Sequence, residues 1–328
     1  MLTTRFTELV GCSVPIQQAG MGAASPPALA AAVSEAGGLG MLGTARRGFP
    51  SVAGLAALLE QLRGLTSQPF GVNFIMKDNA PIERACFEMA AAYARVVDLF
   101  LWTLPDAGLI DLIHRGGALV SCQVGSREEA AAAADAGADL IIAQSIEAGG
   151  HVRGTIGLLA LLSEVLEVVD VPVLASGGIG TGRAVAAALA AGADGVRLGT
   201  RFLAAEEAGV HPIWAQALIA ARPRDTVYLE AFSPSWPNDP QAHRILRSCV
   251  EAAQAFEGEI VGETLSLDGT RVPVQRFTGV ADRTTTGAIE AMWLAAGESV
   301  GGVKCVQPAV EIVRELADEA ERLLRHWA

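Results

Sequence analysis

At 328 residues, 51% hydrophobic and 18% charged, the chain is long enough for one large α/β barrel with an insertion or for two ordinary domains, and too apolar for extensive disorder. A formal net charge of −12 argues against nucleic acid or an anionic membrane surface as the main partner, so a bound phosphate has to be held mainly by local backbone dipoles. Cys12, Cys86, Cys122, Cys249 and Cys305 form no CxxC pair or metal-ligand spacing, MLTTRFTELVGCSVP has no basic-then-apolar leader, and no apolar run reaches the ~18 residues of a membrane span, which together read as free thiols in a cytoplasmic protein.

Eight short apolar runs follow one another: PIQQAGMG (15–22), GLGMLG (38–43), FGVNFIM (70–76), VVDLFLWTL (96–104), ALVSCQV (118–124), DLIIAQS (139–145), VPVLASGG (171–178) and GVRLGTRF (195–202). Most are continuously apolar, as strands buried on both faces are. Alanine- and leucine-rich helical stretches lie between them. SPPALAAAVSEAGG opens with Ser25 as N-cap and Pro26 near the first helical position, and Gly37 suits the C-terminal cap. SREEAAAAADAGAD repeats this grammar, and so does TGRAVAAALAAGAD with Thr181 as cap. AGAD recurs at 136–139 and 191–194, each time just before a strand. Eight βα units by about residue 202 predict a closed (β/α)8 TIM barrel of the α/β class. A doubly wound open sheet is the alternative, weakened because no GxGxxG follows the first strand.

The character changes near His211. Residues 211–278 include RPRDTVYLEAFSPSWPNDPQAHR, rich in Pro, Asp and Arg, between the helical stretches WAQALIAA and AHRILRSCVEAAQAF. This predicts a small, mostly helical insertion after strand 8, set over the C-terminal mouth of a barrel made of 1–210 and 279–328. TTTGAIEAMWLAAGESVGGV then returns toward the site. PAVEIVRELADEAERLLRHW places Val310, Val313, Leu316 and Leu323 at helical spacing, as a closing barrel helix would.

Active sites of such barrels lie at the strand C-termini. After strand 1 come Gly20, Met21 and Gly22, which let backbone approach a ligand. Asn73 is a polar amide inside the apolar third run. It reads as a buried amide satisfied internally or as a ligand contact, and its place among strand-end polar groups favours the ligand. Gln123 at strand 5 reads either way. Strand 6 ends at Gln144, and Gly149 and Gly150 let the following loop fold closely, with His151 on the catalytic rim. An imidazole with an unperturbed pKa near ~6.5 suits a general base at neutral pH. His114, His211, His243 and His326 read as ordinary surface or core residues, and Glu147 as a second acid or base or, more in keeping with its place, as holding the loop or facing solvent. At strands 7 and 8, Gly177, Gly178, Gly199 and Thr200 make two successive strand ends with little side chain, where backbone N–H groups and the Thr200 hydroxyl can reach a phosphate. Arg201 has the alternative of an ordinary salt-bridge partner.

Through QQAGMG, GVNF, CQVGS, AQSIEAGGH, ASGGIG, RLGTRF and AGESVGG the sequence resembles the nitronate monooxygenase family, formerly called 2-nitropropane dioxygenases, which are FMN-dependent (β/α)8-barrel enzymes. The resemblance runs through nearly the whole chain. It implies FMN contacts from Asn73, Gln144, Gly149, Gly178, Arg197, Leu198, Gly199 and Thr200, and it matches His151 to the family's active-site histidine. The phosphate would lie on the Gly177–Gly178 and Gly199–Thr200 ends, with the flavin ring toward strands 1, 3 and 6. The implied reaction is oxidation of an alkyl nitronate, with O2 as the final oxidant, to a carbonyl compound and nitrite. A nitronate is already a carbanion equivalent, so no hydride donor is needed. His151 would remove the α-proton of a neutral nitroalkane or hydrogen-bond the nitronate oxygens. The implied partners are therefore an alkyl nitronate and O2, with no nucleic acid and no membrane; a homodimer is one assembly open to the chain, and the sequence does not fix the oligomeric state. The chain departs from the family at Glu298 of Ala296-Gly297-Glu298, where members often have AGQ. A carboxylate there alters the charge near the substrate or faces solvent. A flavin enoyl-acyl-carrier-protein reductase of the same superfamily, using NAD(P)H, is the second reading, and a barrel that stores or senses flavin without turnover is the third.

Overall fold

The computed structural model describes residues 2–44, 51–76, 82–101, 106–230, 232, 242–266 and 269–327. The end of the fourth apolar run, 102–104, and most of the proline-rich stretch, 233–241, lie outside these residues. The eight runs each contain one parallel strand: β1 (Ile16–Gln18), β2 (Gly40–Gly43), β3 (Phe70–Met76), β4 (Val96–Leu101), β5 (Leu119–Val124), β6 (Leu140–Gln144), β7 (Val173–Ser176) and β8 (Gly195–Leu198). Their order in the sheet is β1-β8-β7-β6-β5-β4-β3-β2. The two ends meet through a parallel bridge between Gln17 and Leu39, with Leu39 N donating to Ile16 O at 2.9 Å and Gln18 N to Leu39 O at 3.0 Å. The sheet is therefore a closed (β/α)8 barrel, and the open-sheet alternative falls.

Caps set the helix starts. Thr181 and Ser126 accept from the backbone N–H three residues on, as their positions predict. Ser25 does not cap. The helix Pro27–Glu35 starts one residue later than expected, with Pro26 before it, because the Ser25 hydroxyl is held by Gln18 Nε2 at 2.8 Å and Met21 N at 3.0 Å. The closing helix Ala309–Trp327 packs on Gly182–Ala190 and Pro27–Glu35. Its buried stripe is Ala309, Ile312, Val313, Leu316 and Ala320, so Val310 faces solvent and the true stripe starts at the small residue before it.

Side chains alternate along each strand. Register sets Asn73, Asp98 and Ser121 side by side, and Gln144, Ser176, Arg197 and Gln17 likewise. Asp98 and Arg197 meet across the barrel, so both rows face its interior. Two residues earlier on the same face lie Met41, Val96, Ile142 and Leu174, an apolar plug closed below by Phe6 and Val10 of the helix Arg5–Val10. The interior is thus apolar at the strand N-termini and polar at the C-termini, where barrel active sites lie.

The segment 211–278 is mixed rather than mostly helical. Beside the helices Pro212–Ala220 and Arg247–Ala255 it carries strands Thr226–Leu229, His243–Leu246, Ile260–Leu265 and Arg271–Gln275. AHRIL, read as the start of a helix, is extended because His243–Leu246 pairs antiparallel with both Thr226–Leu229 and Gly150–His151. That pairing overrides local propensity, and only the tertiary partner reveals it.

Candidate active site

A cavity of about 740 Å³ opens at the strand C-termini. Gly20, Met21, Gly22, Asn73, Gln123, Gln144, Gly149, Gly150, His151, Gly177, Arg197, Leu198, Gly199 and Thr200 all line it. Gly178 stands just outside, its φ of 71° turning the chain against Glu147, where a Cβ would lie 2.6 Å from Oε2.

Asp98 is the hub of the floor, and it was passed over in the sequence although a lone carboxylate inside VVDLFL was the available signal. It is fully buried and accepts four hydrogen bonds: from Arg197 Nη1 at 2.8 Å and Nη2 at 2.7 Å, Asn73 Nδ2 at 2.7 Å and Ser121 Oγ at 2.6 Å. A buried carboxylate needs that many donors to offset its lost hydration. The amide of Asn73 is half satisfied. Its Oδ1, and Nε of Arg197, are buried with no hydrogen-bond partner among the described residues. Beside Asp98, Cys122 packs into the outer core. Burial first, then the charges of Asp98 and Asp139, push its thiol up to about 12, which disqualifies it as a nucleophile near neutral pH.

The His151 loop is pinned from several sides. Gln144 Nε2 donates to His151 O at 2.9 Å and Gln144 Oε1 accepts from Arg153 N at 3.1 Å, so this amide shapes the loop. Glu147 takes the loop-holding alternative, accepting from Ser145 Oγ and Leu158 N, both at 3.2 Å. Arg244 donates to Ile146 O at 2.9 Å and Thr226 Oγ1 at 3.2 Å, and pairs with Glu298 Oε1 at 3.1 Å. The carboxylate that departs from the family pattern is therefore partnered. His151 lies opposite His243 in register, and their ring centroids are 4.5 Å apart. His243, read as an ordinary histidine, is 1% exposed and lines the cavity. Nothing local to it signals this, because the contact comes from strand pairing.

At the strand 7 and 8 ends, Gly177 has φ 104°, and a Cβ there would sit 2.3 Å from Ser145 Oγ. The Thr200 hydroxyl accepts from Gly297 N at 2.9 Å, which leaves its own O–H to donate. Arg201 takes the salt-bridge alternative, with Nη2 2.9 Å from Glu315 Oε2. Among the described residues no group of His, Cys, Asp and Glu could hold a metal ion, and no helix is long and apolar enough to cross a membrane.

A closed barrel that gathers strand-end amides, a pinned histidine loop and two glycine-ended strands around one cavity has the architecture of a (β/α)8-barrel enzyme. The nitronate monooxygenase family profile matches residues 3–319, and the chain belongs to that family. It is similar to the (3aS,4S,5R,7aS)-5-hydroxy-7a-methyl-1-oxo-octahydro-1H-indene-4-carboxyl-CoA dehydrogenase of Rhodococcus jostii (strain RHA1), at 35% identity over 261 residues, 80% of this chain and 70% of that protein. Its fold is similar to FabK from Thermotoga maritima, with TM-score 0.79 and 28% identity over 100% of this chain and 99% of that one. It is also similar to nitroalkane oxidase from Streptomyces ansochromogenes, with TM-score 0.76 and 30% identity over 98% and 99%. Family membership makes the chain an oxidoreductase.

Proposed function

We propose that the chain is an FMN-dependent nitronate monooxygenase that oxidises alkyl nitronates with O2 to carbonyl compounds and nitrite. The observation that carries the proposal is the convergence of His151, Asn73, Arg197 and the two glycine-ended strands on one cavity. The residues fit FMN by their chemistry. The orphaned acceptor Asn73 Oδ1 and the orphaned donor Arg197 Nε suit a ring edge that presents both kinds of group. Gly177, Gly178, Gly199 and Thr200 offer backbone and hydroxyl donors to a phosphate without a basic side chain, as the acidic chain requires. Gly20, Met21, Gly22, Gln123, Gly149, Gly150 and Leu198 complete the wall around the cofactor, and Gln144 acts by shaping the loop. FMN, when bound, supplies the acceptor for the substrate's electrons and passes them to O2.

His151 then has two duties according to substrate. With a neutral nitroalkane it takes the α-proton, and with a nitronate it donates a hydrogen bond to an oxygen. Gln144 fixes the loop backbone that aims it. In this reading 1–210 and 279–328 are the catalytic barrel, and 211–278 forms the wall of its mouth through Trp214, Phe232, His243 and Leu265.

The second reading is an NAD(P)H-using oxidoreductase of the same superfamily, including an enoyl-acyl-carrier-protein reductase. The likeness to FabK and to the Rhodococcus jostii dehydrogenase favours it. Anaerobic addition of propyl nitronate and of NADH to separate samples of the flavin-loaded protein decides between them. Bleaching by nitronate alone is the expected result, and rapid bleaching by NADH alone would transfer the assignment to the second reading.

A further inference from the structure

The cavity is polar at its floor and apolar nearer the mouth. Asn73 and Asp98 lie side by side in register on the floor, and Ile75 and Phe100, two residues further along the same strands, are paired above them. Ile75 keeps part of its surface uncovered and lines the cavity, as does Ile82 on the chain after β3. The mouth adds Leu265, Val280 and Trp293, which line the same cavity and are also only partly covered. Val280 and Trp293 are joined by a parallel bridge, and Trp293 N donates to Gly279 O at 2.8 Å, so backbone pairing fixes this wall. The chain enters the wall through Phe277, whose φ of 65° is the left-handed conformation that a bulky side chain avoids. Phe277 is held there by the ring of Phe232 at 5.2 Å and by the Arg276 guanidinium over its own ring at 5.2 Å. Strain retained beside a cavity points to a shape kept for a ligand.

We infer that the substrate carries an extended, uncharged apolar body, seated on Ile75 and Ile82 of the barrel and on Leu265, Val280 and Trp293 of the mouth. The inference rests on the proposed function for the reacting head, a nitronate, and adds the class of the rest of the molecule. None of the five side chains belongs to the set assigned to FMN. Apolar surface left wet inside a cavity is unfavourable, and a substrate with an apolar body removes it from water. A charge on that body would lose its hydration against these walls without gaining a partner. A negative one would also meet Asp282, a cavity-lining carboxylate whose Oδ1 is fixed by the hydroxyls of Thr264 at 3.2 Å, Thr284 at 2.7 Å and Thr285 at 3.0 Å.

The test uses the flavin-loaded protein and the variant Leu265→Asp, a change at a side chain already 37% exposed. Butanoate, hexanoate and octanoate carry a planar two-oxygen anion like that of a nitronate, and calorimetry gives their dissociation constants. In the wild type each added methylene is expected to tighten binding about fourfold, the worth of one buried CH2. The kcat/KM of ethyl, butyl and hexyl nitronates should climb with the same slope, carried by KM. Leu265→Asp should lower both slopes, and octanedioate should bind about tenfold or more weakly than octanoate. A slope is a ratio within one protein, so lost flavin or lost folded enzyme does not imitate the effect. A wild-type slope below about twofold per methylene in either series overturns the apolar seat, as does an unchanged slope in Leu265→Asp. Octanedioate as tight as octanoate overturns the uncharged body. Anaerobic bleaching separates this claim from the function. Bleaching by the nitronates with flat slopes sinks the apolar seat and keeps the function. A full carboxylate slope with no bleaching by any nitronate keeps the seat and sinks the nitronate as its occupant.

Discussion

Arg197 and Asp98 stand on β8 and β4, on opposite walls of the barrel, and meet in a two-pronged ion pair with N–O distances of 2.8 and 2.7 Å. The pair is buried from water on both sides and forms the floor of the cavity. Such pairs contribute little relative to a well-packed apolar floor, but breaking one strands a charge and destabilises by about 3–5 kcal/mol. Asp98→Ala is expected to lose stability of that order in a denaturant titration. The double variant Asp98→Leu with Arg197→Met should recover most of the loss while abolishing flavin binding. A single-variant loss below about 1 kcal/mol, the range of exposed pairs, would show that the floor is wetter than its geometry implies.

The glycines at the strand 7 and 8 ends should respond differently to a methyl group. At Gly177 the backbone is left-handed and a Cβ would sit 2.3 Å from Ser145 Oγ, so Gly177→Ala is expected to destabilise the fold by about 1–2 kcal/mol from the conformation alone. At Gly199 a Cβ would meet Met21 Sδ at 3.4 Å, Ala19 Cβ at 3.7 Å and Met21 Cγ at 4.0 Å, all ordinary contacts. Gly199→Ala should therefore melt near the wild-type temperature yet, on the proposed function, hold FMN at least tenfold more weakly, because the methyl group would take the space proposed for the phosphate. Equal FMN affinity in this variant would remove Gly199 from the phosphate site.

This contrast marks what the sequence could convey. The eight strands were legible because each is a local apolar run, and Gly177 and Gly199 were legible as strand ends. The difference between them was not, since it depends on how close Ser145 comes. Asp98 was visible as a charge inside an apolar strand, but its partner is 99 residues away. His243 carried no signal, because its place beside His151 arises from the register of two short strands in different segments. Strand content in 211–278 was hidden for the same reason: AHRIL is compatible with helix until Thr226–Leu229 and Gly150–His151 flank it.

Thiol chemistry offers a check on the core. Burial pushes Cys12, Cys122 and Cys249 up to about 12, and Cys305 is exposed. At pH 8 a disulfide reagent is expected to label Cys305 rapidly and the other thiols only after denaturation. The sign for stability follows from the raised folded values. The unfolded thiols ionise first, so stability is full below their ordinary range near 9 and is lost as pH climbs toward 12. Rapid labelling of a second thiol in native protein at pH 8 would contradict this packing.

Arg244 and Glu298 give a prediction with a built-in control. Glu298 is 41% exposed, so Glu298→Gln, which restores the amide common in the family, should change stability by less than about 1 kcal/mol. Arg244 also holds Ile146 O at 2.9 Å, and Arg244→Met should release the loop that carries His151. Turnover of nitronate is expected to fall at least tenfold in the arginine variant and less than threefold in the glutamine variant. Equal losses in both would place the ion pair, rather than the loop contact, in control.

His151 itself should divide the two kinds of substrate. Removing an α-proton from a neutral nitroalkane needs a base, and a positioned side chain in that role contributes roughly 10²–10⁴-fold. A preformed nitronate needs no deprotonation and loses only a hydrogen bond. His151→Ala is therefore expected to lower turnover of nitroethane by at least a hundredfold and of ethyl nitronate by far less, with FMN retained through the opposite walls of the cavity. Gln144→Leu should reproduce the same bias more weakly, because it frees His151 O and Arg153 N without removing the imidazole. Equal losses on both substrates in His151→Ala would show that His151 binds the anion only, and the base would have to be sought elsewhere on the same rim.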